Sequence, residues 1–67
     1  MTPDQCRAAR AILAISQQEL ATISDVAKAT IANFETGNRT PYKRTLAAIQ
    51  TALEARGVRF TADGVSK

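Results

Sequence analysis

Sixty-seven residues with a net charge of +3 and a pI near 9.6 make one small domain, and a chain of this size buries only about 60% of its extended surface. The absence of histidine and the single cysteine, Cys6, exclude an internal disulfide, a cysteine metal cluster, a zinc site and a histidine general base. No apolar run approaches the roughly 20 residues that cross a bilayer, and Met1-Thr-Pro-Asp4 lacks a signal peptide's basic head and apolar core, so the chain reads as soluble and cytoplasmic, with no membrane and no cofactor.

The hydrophobic fraction, 45%, contains much alanine. Alanine favours helix and lets helices approach closely, but adds little burial. A first helix is predicted over residues 3–14, with Thr2 as cap, Pro3 in the first turn and Asp4 at the positive end. Cys6, Ala9 and Leu13 form its buried stripe. Arg10 lies beside that stripe and asks for a partner. The second helix has the clearest start signal. Ser16-Gln-Gln-Glu19 fits a capping box, flanked by Ile15 and Leu20 as a hydrophobic staple, and the helix runs to about Ser24. At about two turns it cannot stand alone.

A third helix is predicted over residues 28–36. Ile31 and Phe34 face the core, Lys28, Ala29, Ala32, Asn33 and Thr36 face outward, and Gly37 ends it. Only residues 25–27 separate the second and third helices, so they cross steeply, as in a helix-turn-helix. The fourth helix is expected to start on Thr40 as cap and Pro41 as first residue, with Tyr42, Leu46, Ile49 and Leu53 as its stripe and Gly57 as its end. Val58-Arg-Phe60 then reads as a strand, Ala62-Asp63-Gly64 as a turn, and residues 65–67 as a returning strand. The chain thus divides into a helical domain, residues 1–57, and an extended tail, residues 58–67.

Ser16-Gln17-x-Glu19-Leu20-Ala21, Val26, Thr30-Ile31 and Phe34-Glu35-x-Gly37-x-Arg39-x-Pro41 together resemble the Cro/C1-type, lambda-repressor-like helix-turn-helix family, without a gap over about residues 6–55. The resemblance implies an all-α, compact four-helix domain whose third helix enters the major groove of double-stranded DNA. It implies base-edge reading at Ala27, Lys28, Ala29 and Asn33, phosphate contact at Gln17, Thr30 and Thr36, and an ion pair between Arg10 and Glu35. It also implies a bacterial or phage origin. Two positions depart from the family pattern. Asp25 stands where a turn glycine is usual, and Ala27 stands where the third helix usually has a serine or threonine cap. Asp25 either takes the left-handed turn conformation or caps a longer third helix.

The residues themselves point the same way. An alanine-rich outer face permits close approach to another surface. Asn33 can pair bidentately with adenine, Lys28 can reach guanine or phosphate, and Ala27, Ala29 or Ala32 can rest on a thymine methyl. Arg39, Lys43 and Arg44 cluster after the third helix. Cations are unfavourable at the start of a helix, so an external phosphate is their natural partner. One domain this small offers DNA little area, so a homodimer on two half-sites is expected. Val58, Phe60 and Val65 either supply that dimer contact or cover the chain's own core. No small-molecule ligand is expected, and with carboxylates spread over the surface or used as caps, neither is an enzyme. The alternative to a DNA-binding regulator is an antitoxin-like module that neutralises another protein.

Overall fold

The computed structural model describes residues 1–67. Four helices, α1 (Pro3–Leu13), α2 (Gln17–Ser24), α3 (Lys28–Glu35) and α4 (Lys43–Ala55), precede a two-stranded antiparallel hairpin, β1 (Arg59–Phe60) and β2 (Val65–Ser66). The fold is the compact four-helix body with a β-like tail that the sequence predicts.

Local chemistry sets the helix starts. Thr2 accepts from the Gln5 amide, and the Gln5 side chain accepts from the Thr2 amide, so α1 opens with a full capping box. Ser16 and Glu19 repeat the device at α2. The ends of α1, α2 and α3 share another device. Ala14, Asp25 and Gly37 each take a left-handed backbone, with φ of 56°, 56° and 80°. The following amides, those of Ile15, Val26 and Asn38, return to the carbonyls of Arg10, Ala21 and Asn33. These bonds satisfy carbonyls that a helix end would otherwise leave unpaired.

Cys6 and Ala9 from α1, Leu20 and Ala21 from α2, Ile31 and Phe34 from α3, and Ile49 and Leu53 from α4 meet in one core. Leu13 is half-buried against it. Burial of each large member stabilises the fold by about 1.5–3 kcal/mol, which is how three helices of 11 residues or fewer persist.

Two expectations need correction. Helix α4 starts at Lys43, two residues after the expected start, and its cap position is Tyr42, which makes no side-chain capping bond. Tyr42 is extended (φ −60°, ψ 154°), so it lies outside the helical repeat and leaves the buried stripe; it is 83% exposed. Pro41 accordingly precedes the cap. The second correction concerns the tail. Val58, one of the candidate dimer residues, is 2% exposed inside this chain's own core. Phe60 and Val65 are opposite each other in the hairpin and half-buried against the same core. The Gln5 side-chain Nε2 also donates to the carbonyls of Thr61 (2.8 Å) and Gly64 (3.1 Å), fastening the tail's turn to α1.

Candidate nucleic-acid interface

Three helices converge on one carboxylate, and this sets the attitude of α3. Glu35, at the last position of α3, is 2% exposed. Arg10 grips it with two bonds of 2.7 Å, from Nε to Oε2 and from a terminal nitrogen to Oε1. Gln17 Nε2 donates to Oε1 at 3.0 Å and the Cys6 thiol to Oε2 at 3.1 Å. Arg7 adds a bond to the Glu35 backbone carbonyl. Burial alone would raise the Glu35 pKa, but the bonds from Arg10, Gln17 and Cys6 overrule it and hold the carboxyl below its ordinary range. The same bond to Glu35 raises Arg10 further, against the opposing effect of burial. Burial first, then the bond to Glu35, pushes the Cys6 thiol up to about 12, so it stays a neutral donor.

A tight turn then sets α3 across α2. Asp25 ends α2 in the left-handed region and does not cap α3, whose cap position, Ala27, has no side-chain bond. Ile31 and Phe34 point into the core, so Ala27, Lys28 and Ala29 stand exposed and Asn33 half-exposed on the other side.

Beyond α3 the chain folds back. The Asn38 and Arg39 amides both return to the Asn33 carbonyl, at 2.9 and 3.3 Å. Loop 37–42 therefore runs alongside α3, and an open groove of about 750 Å³ lies between them. Ala29, Thr30 and Asn33 line it from α3, Ala27 from the cap position before it, and Arg39 and Tyr42 from the loop. A helix-turn-helix family model matches residues 7–56, which covers all four helices apart from the first turn of α1. The chain belongs to the Cro/C1-type helix-turn-helix family.

Membership makes this Cro/C1-type chain a DNA-binding transcription regulator of that type. A search of curated proteins returns no match. No helix is long and apolar enough to cross a membrane, and no three His, Cys, Asp or Glu side chains come together as metal ligands would.

The sequence-predicted residues of this Cro/C1-type domain fall into separate groups. The groove gathers Ala27, Ala29, Thr30, Asn33 and Arg39. Lys28 is exposed on the first turn of α3, and Lys43 and Arg44 are exposed on the first turn of α4, all outside the groove lining. Thr36 spends its hydroxyl proton on the carbonyls of Ala32 and Asn33, at 3.1 and 3.2 Å. Gln17 is tied to Glu35, yet a side-chain amide has two N–H donors and this bond uses one. Sequence reasoning missed Tyr42 on the groove, because its spacing from Leu46 fitted a helical stripe. It also missed Cys6 and Gln17 as Glu35 ligands. Only the position of Cys6 one turn before Arg10 hinted at the first, and nothing local hinted at the second.

Proposed function

We propose that this chain binds a short, two-fold-symmetric DNA site as two copies, with α3 in the major groove, and acts in the cytoplasm as a transcriptional repressor that occludes a promoter. What carries the reading is the outer side of α3, which is small, polar and uncovered. Ala27, Lys28 and Ala29 are exposed, and the adjoining groove opens onto Asn33. Bulky side chains there would hold the helix off the base edges; alanines let its backbone sit deep.

In this reading Asn33 pairs with adenine, Lys28 reaches guanine or a neighbouring phosphate, and Ala27 and Ala29 lie against thymine methyls. Thr30, Arg39, Lys43 and Arg44 hold the flanking phosphates, with Gln17 donating its second N–H and Thr36 exchanging a backbone partner for a phosphate. The body measures 25 × 22 × 19 Å between Cα extremes. Two half-sites one turn apart are centred about 34 Å from each other, so two copies fit side by side without interpenetrating. Because Val58 is withdrawn into the core, contact between copies through the tail falls to Phe60, Val65 and the hairpin's outer edge.

Selection of bound duplexes from a random pool tests the proposal. The expected product is an enriched motif with two-fold symmetry, bound by two chains. A pool that stays unenriched after repeated rounds would overturn sequence-specific regulation.

A further inference from the structure

Resting on the reading above, we infer that Tyr42 is a further DNA contact: its phenol donates to a phosphodiester oxygen of the strand that occupies the groove beside α3. Neither of the ordinary uses of a tyrosine accounts for this one. It is 83% exposed, so it packs no core. It occupies the cap position of α4, where a short oxygen-bearing side chain would bond the first-turn amides, and makes no such bond. Ile12, at 36%, is the other exposed large hydrophobic residue, so an aromatic ring this open is exceptional in the molecule.

Its surroundings specify the ligand. Tyr42 lines the same groove as Thr30, Asn33 and Arg39, with Asp25 as its one carboxylate, and Lys43 and Arg44 follow Tyr42, both exposed. Three cations within six residues favour a polyanion over an apolar protein surface. Tyrosine adds what those cations lack, a flat apolar body with a neutral donor at its tip. A sugar–phosphate backbone offers the matching pair, a deoxyribose face and an anionic oxygen, and tyrosine is among the side chains that contact phosphates.

The chain has one tyrosine and no tryptophan, so its emission reports this position alone. The test uses the full chain and a random-sequence duplex of about 20 base pairs, fluorescein-labelled for anisotropy and unlabelled for emission. Tyr42→Phe is expected to weaken binding about tenfold or more, the effect of losing one hydrogen bond to a charged acceptor, and Tyr42→Ala more than Tyr42→Phe. The salt dependence should stay unchanged, because no charge is removed. Wild-type tyrosine emission should shift on adding duplex, and circular dichroism should show both variants folded. Wild-type binding with unchanged emission and unaltered Tyr42→Ala affinity would overturn this inference and leave the DNA-binding reading standing. Full affinity in Tyr42→Phe with a loss in Tyr42→Ala would overturn donation by the hydroxyl. A wild-type chain that binds neither this duplex nor any duplex selected from the random pool would overturn both.

Discussion

Asn33 and Lys43 separate the two components of a DNA complex at the scale of one residue. Asn33 is half-exposed on the groove, with its backbone carbonyl fixed by two loop amides. In the proposed complex an amide so placed contributes at one base pair. Asn33→Ala is expected to cost about 1–3 kcal/mol on the preferred site and to relax preference at one position of each half-site. Lys43 is exposed on the first turn of α4, where no acidic residue answers it. Lys43→Ala should weaken all sequences alike and reduce the slope of log affinity against log salt by about one per copy. Titrating a selected and a scrambled duplex at several salt concentrations separates the two. An equal loss on both duplexes for Asn33→Ala would remove that residue from base reading.

Helix ends give the next scale its lesson. Ala14 and Asp25 occupy left-handed positions that favour glycine, and an L-residue there is held at a cost of about 1–2 kcal/mol, less for aspartate. Asp25 also puts a negative charge at the negative end of α2. Ala14→Gly and Asp25→Gly should each gain about 0.5–1 kcal/mol after glycine's larger loss of chain entropy is subtracted. Thermal unfolding followed by circular dichroism should show each midpoint rising by about 2–8 °C; a fall would mean the turns are held for another reason. The same ends mark how far the sequence could be read. The Ser16–Glu19 box, the Gly37 stop and the β-like tail follow from local chemistry, and each stands where predicted. Thr40-Pro41 signalled a helix start with equal clarity, but α4 begins later, because loop 37–42 must first run back along α3. Asp25 had two local solutions, cap or turn, and only the crossing of α2 and α3 decides for the turn. In the groove's lining, Ala29 and Asn33 were legible from periodicity and Ala27 and Thr30 only from the family resemblance, whereas the bonds from Cys6 and Gln17 to Glu35 depend on how three helices approach.

For the molecule as a whole, stability depends on one carboxylate and one thiol that titrate differently when folded. Glu35 has a folded pKa below its ordinary value of 4.5. As pH falls below about 4.5, the unfolded chain binds this proton before the folded chain does, so stability is present above that value and lost through the depressed pKa. Cys6 acts in the opposite sense. Its folded pKa rises from 9.0 to about 12, so its contribution is whole below pH 9 and lost as pH climbs through about 12. Urea unfolding across pH should therefore give a plateau that falls at both ends. Glu35→Gln should flatten the acid limb and Cys6→Ala the alkaline one. An acid limb unchanged in Glu35→Gln would show that other carboxylates set it.

The bond from Gln5 to the turn at Thr61 and Gly64 has a practical meaning beyond stability. It brings the two ends of the chain to one corner, and that corner shares no residue with the groove beside α3. Neighbouring ends of this kind suit circular permutation and domain fusion. A reporter or a second reading head attached at either end would emerge from the same corner, so tandem versions can be assembled without a linker having to cross the surface proposed to face DNA.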